Sequence, residues 1–61
     1  MNYKVIANRP GRTTYQVFGV DAGEGKTHND KWLADQLDPN NFGYCVRVVA
    51  EDYIIIDIYT D

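Results

Sequence analysis

Two β-prone runs near the C-terminus, YCVRVVA (44–50) and YIIIDIYT (53–60), are separated only by Glu51-Asp52. A connection that short joins neighbouring antiparallel strands as a hairpin, although Glu-Asp is not the favoured turn chemistry. The first third of the chain repeats the arrangement with YKVIA (3–7), NRPGR (8–12) and TTYQVFGV (13–20). Pro10-Gly11 suits the central positions of a type II turn, since proline fixes φ and glycine accepts φ > 0. A hairpin with a five-residue loop is expected there.

Between the hairpins, Trp32, Leu33 and Leu37, with Ala34 beside them, recur at helical spacing. This predicts a helix over 28–37, with Lys31 and Asp35 one turn apart on its solvent side and Pro39 ending it. Thr27 and Asp30 have capping-box spacing, and Asn29 or Asp30 are alternative caps. The order is β-β-α-β-β. The economical α+β architecture is one domain over 1–61, a four-stranded antiparallel sheet with a single helix packed on one face. At 61 residues the chain buries only ~60% of its unfolded surface, so it has one small core or shares one.

Alternation along each strand sorts side chains by face. Val5, Val46, Val48, Ile54, Ile56 and Ile58 are the expected core beneath Trp32, Leu33 and Leu37. The second strand is ambiguous, with Tyr15 and Val17 on one side and Phe18 and Val20 on the other. A second face then carries Ile6, Val49, Tyr53, Ile55 and Tyr59, broken by Lys4, Arg47 and Asp57. One three-turn helix cannot cover both faces. The outer face is therefore either an ordinary solvated sheet surface or an interface core with a polar rim. The run YIIIDIY (53–59), β-prone and poor in charge, should lie centrally or be covered to avoid edge aggregation.

The segment VDAGEGKTH (20–28) raises the question of a phosphate-binding loop. Gly25, Lys26 and Thr27 match the last three places of G-x-x-x-x-G-K-[ST], but Val20 stands where the leading glycine belongs. A chain this short also has no room for the parallel sheet and second acidic strand of such enzymes. A weaker expectation is anion binding by Gly23, Gly25, Lys26 and Thr27 at the helix start.

The net charge of −3 is unevenly distributed, with residues 1–31 at +2 and residues 32–61 at −5. The acidic set Asp35, Asp38, Glu51, Asp52, Asp57 and Asp61 suits a basic protein partner, or simply a solvated surface. On net charge, nucleic acid is not an expected partner. The alternative is stacking of single-stranded bases on Tyr53 and Tyr59, with Arg9, Arg12 and Arg47 at phosphates.

Cys45, the sole cysteine, reads as a small strand residue rather than a nucleophile. Asp21, Glu24, His28 and Asp30 fit no metal-ligand spacing, and neither a cofactor pattern nor a catalytic constellation is present. With no signal-peptide core, no membrane-length apolar run and no cysteine framework, a cytoplasmic location is expected. These readings converge on a non-enzymatic module that binds a protein, or a second copy of itself, through its outer sheet face or its acidic half. Size and composition of this kind are frequent among phage and mobile-element accessory proteins that bind host proteins.

Overall fold

The computed structural model describes residues 2–19 and 27–60, the side chains of 27–29 excepted. Four strands, β1 (Asn2–Arg9), β2 (Arg12–Phe18), β3 (Gly43–Ala50) and β4 (Tyr53–Tyr59), and one helix, α1 (Thr27–Leu37), follow in the order β1-β2-α1-β3-β4. All strands pair antiparallel in one open sheet ordered β1-β2-β4-β3, which is the expected α+β class. YIIIDIY is β4 and lies inside the sheet, hydrogen-bonded on both sides. Its backbone groups are therefore satisfied by β2 and β3, and the edges fall to β1 and β3.

The first hairpin is tighter than NRPGR suggests. Arg9 pairs directly with Arg12, so the loop is Pro10-Gly11 alone. Gly11 has φ 81°, the value a type II turn requires at its second central residue. A Cβ there would meet the Thr60 carbonyl oxygen at 3.4 Å, and Gly11 accepts a hydrogen bond from the Thr60 N–H at 3.0 Å. In the second hairpin Ala50 pairs with Tyr53 across Glu51-Asp52. No described non-glycine residue has positive φ, which excludes a primed turn there. Each edge strand carries a bulge, between Val5 and Ala7 in β1 and between Val48 and Ala50 in β3. Bulges add local twist that unprimed turns do not supply, and they make an edge a poor template for further strands.

One sheet face packs under α1. Val17, Ile54, Ile56, Ile58, Leu33 and Ala34 form the buried cluster, with Tyr15, Leu37, Tyr44 and Val46 packed against it. The inward assignment of Ile54, Ile56 and Ile58 holds, and Val17 resolves the ambiguity of β2. Three expected core residues are corrected. Val5 is 48% exposed, Val48 47% and Trp32 54%. The reason is coverage: an 11-residue helix shields the two central strands, whereas Val5 and Val48 lie on the outer columns of the same face. On α1 the inward stripe is Asp30, Leu33, Ala34 and Leu37, and Trp32 falls outside it.

Candidate functional site: the outer sheet face

Cross-strand partners share a face, so the register converts the outer surface into four rows. At one end stand Asn2, Phe18, Tyr53 and Ala50, followed by Lys4, Gln16, Ile55 and Arg47. Next come Ala7, Thr14, Asp57 and Cys45, and last Arg9, Arg12, Tyr59 and Gly43. Tyr53, Ile55, Asp57, Tyr59 and Arg47 thus lie on one face as expected. Ile6 and Val49 are instead the unpaired bulge residues on the edges, 45% and 49% exposed. The bulge in β1 also shifts the alternation, moving Ala7 and Arg9 onto the outer face and Asn8 off it. The bulge in β3 does the same for Ala50.

The middle of this face is organised by side-chain hydrogen bonds. Arg9 Nη2 donates to Thr14 Oγ1 at 2.6 Å, and Thr14 Oγ1 in turn donates to Asp57 Oδ1. The Arg9 guanidinium also stands 3.9 Å from Asp57 Oδ1, and Thr14 is 8% exposed. Asp57 is therefore an internal counterion rather than a free carboxylate. Gln16 Nε2 donates to the Tyr53 hydroxyl at 2.7 Å. Phe18 and Tyr53, direct partners on the two central strands, stack at 4.7 Å with 12° between their planes. Tyr59 lies at the far end, roughly 20 Å along β4 at ordinary strand rise.

Charge is segregated by face. Among the described residues, Lys4, Arg9, Arg12 and Arg47, four of the chain's six cations, share the outer surface with a single carboxylate, Asp57, giving a net +3. The remaining residues hold two lysines against eight carboxylates, a net −6.

The expected acidic surface does not form one patch. Asp57 belongs to the basic face. Glu51-Asp52 turn at the Phe18–Tyr53 end, where Gly19 N–H bonds the Asp52 carbonyl at 2.8 Å. Asp35 and Asp38 lie at the opposite end, where α1 gives way to β3. There Asn41 Nδ2 donates to Asp35 Oδ1 at 2.9 Å and to the Asp38 carbonyl at 2.8 Å, and Lys31 Nζ lies 3.2 Å from Asp35 Oδ2. The Asn41 amide, with Lys31, holds the Asp35 carboxyl below the usual carboxylate range.

A depressed folded pKa contributes stability above the unfolded value of about 3.9 that is lost as pH falls through the folded value. Asn41→Ala is accordingly expected to raise the Asp35 pKa in an NMR titration, to lower stability at neutral pH and to shrink the share of stability that is lost on acidification. An unchanged Asp35 titration would show that the amide does not hold it. On the sheet's other face, burial, Asp38 and Tyr3 together raise the Tyr15 pKa. Tyr3 meets the Tyr15 ring edge-on at 5.9 Å.

Gly23, Gly25 and Lys26, with the rest of the candidate phosphate loop, lie outside the described residues, as do Asp61 and the side chains of Thr27 and His28. Among the described residues there is no cluster of metal-ligating side chains, and no helix is long and apolar enough to cross a membrane. Cys45 is exposed on the outer face, in register with Asp57. Compared with known proteins, the chain matches no family model, no curated protein and no solved structure.

Proposed function

We propose that this chain is a non-enzymatic binding module that takes an anionic partner on its outer sheet face. The observation that carries this reading is the segregation of charge: an acidic chain keeps four of its six cations on one surface, where the only carboxylate among the described residues is neutralised internally. Even dispersal of these charges would leave this surface net negative. The strip formed by buried Thr14 and half-buried Gln16, Tyr53, Ile55 and Asp57 supplies a floor between exposed Lys4 and Arg47. Such a strip with a charged rim has the anatomy of a recognition surface.

A test follows from the pI of about 4.8. A protein of that pI with dispersed charge passes through immobilised heparin at pH 7. Wild type is expected to be retained at low salt and released as salt screens the face. Arg12→Glu with Arg47→Glu should abolish retention, while Asp35→Asn with Asp38→Asn should leave the double-glutamate protein unretained. Flow-through of the wild-type protein would end this reading.

A further inference from the structure

From the arrangement of rings and cations we infer that the anionic partner is single-stranded nucleic acid, laid along β2 and β4 from Phe18 and Tyr53 to Tyr59. The inference rests on the outer-face reading above and adds the chemistry of the partner. Phe18 and Tyr59 are 38% and 36% exposed, and Phe18 and Tyr53 stand on the two central strands, where the backbone is hydrogen-bonded on both sides. Every base has a π face, so rings held on a sheet can stack bases without deep pockets for particular side chains. Bases must be unstacked to reach them, which favours a single strand over a duplex.

The cations match such a path. Lys4 and Arg47 flank the row next to Phe18 and Tyr53 from opposite edges, and Arg12 is the cross-strand partner of Tyr59 at the other end. Arg9 is engaged by Thr14 and Asp57, leaving Lys4, Arg12 and Arg47 for phosphates. Asp35 and Asp38, at the C-terminal end of α1, disfavour a polyanion on that side of the molecule, and the exposed Glu51-Asp52 turn limits the path at the Phe18–Tyr53 end. Net charge alone argues against a nucleic acid partner, but affinity depends on the charges at the contact surface, and the described residues of the outer face sum to +3.

The experiment is fluorescence anisotropy with a labelled twelve-nucleotide oligo-dT across a salt series. Three phosphate contacts give a slope of log K against log salt of about −2. Lys4→Gln with Arg47→Gln should reduce that slope to about −0.7, the value for one remaining contact. Phe18→Leu with Tyr59→Leu retains every charge and should keep the slope while weakening oligo-dT about five-fold or more. Heparin retention by that ring variant should be unchanged, and circular dichroism with urea titration checks that each variant is folded.

Equal competition by polyglutamate of matched charge, with no loss in the ring variant, would overturn the inference in favour of an acidic protein. Heparin retention without oligo-dT binding would also overturn it while leaving the outer-face reading intact. Loss of heparin retention in the wild type removes both.

Discussion

Ile56→Ala is expected to cost about 2–5 kcal/mol in urea denaturation, the range for truncating a buried isoleucine. Ile56 is fully buried at the centre of β4, between Tyr15 on β2 and Val46 on β3, beneath the helix. A domain of this length has a total stability of only about 3–9 kcal/mol at ordinary values per residue. One truncation therefore removes a large share and leaves a substantial unfolded fraction without denaturant. Ile55→Ala, one residue away on the outer face, removes the same atoms from a partly exposed site and should cost well under half as much. The pair tests the face assignment directly, because equal losses would mean that β4 does not present its odd and even residues to different environments. Should Ile56→Ala fail to fold, Ile56→Val, at about 0.5–1.5 kcal/mol, permits the same comparison against Ile55→Val.

The second large effect moves two properties in opposite directions. Asp57→Ala removes the acceptor for Thr14 and the counterion for Arg9. Leaving such groups unsatisfied costs about 1–3 kcal/mol, and Arg9 Nε is already shielded from solvent with no hydrogen-bond partner among the described residues. The same substitution raises the outer face from a net +3 to +4 and releases the Arg9 guanidinium. A less stable protein that elutes from heparin at higher salt is the expected result. Thr14→Val is the matched control, since it removes the hydroxyl bridge and keeps all charges, so stability should fall with elution unchanged. If Asp57→Ala eluted no later than wild type, the outer face would not be the surface that meets the polyanion.

The element order, both hairpins and the two sides of β4 are legible in the sequence because local signals decide them. Glu51-Asp52 leaves no room for anything but a turn, and Ile54, Ile56 and Ile58 alternate with Tyr53, Ile55, Asp57 and Tyr59 without interruption. What is not legible depends on two non-local facts. Alternation counted through β1 places Asn8 with Lys4 and sets Arg9 on the opposite side. One bulged residue reverses that phase and brings Arg9 to Thr14 and Asp57. Likewise, the exposure of Val5, Val48 and Trp32 follows from where the helix rests over the sheet, a matter of packing that helical periodicity does not encode. The basic face shares this origin. Lys4 and Arg47 are 43 positions apart in sequence and become parts of one surface only through the pairing of β2 with β4.

That pairing also governs how the chain reaches its native state. The hairpins β1-β2 and β3-β4 close over two residues each and can form early from local contacts. β2 meets β4 across a sequence separation of about forty residues, with α1 in the intervening stretch. Loop-closure entropy must be met before this central ladder, and the isoleucine core along it, yields any return. The outer face, whose rows run across all four strands, is therefore completed by the same long-range pairing that assembles the hydrophobic core. Without the β2–β4 ladder, Lys4 and Arg12 would remain on one hairpin and Arg47 and Tyr59 on the other, and no row of the outer face would be complete.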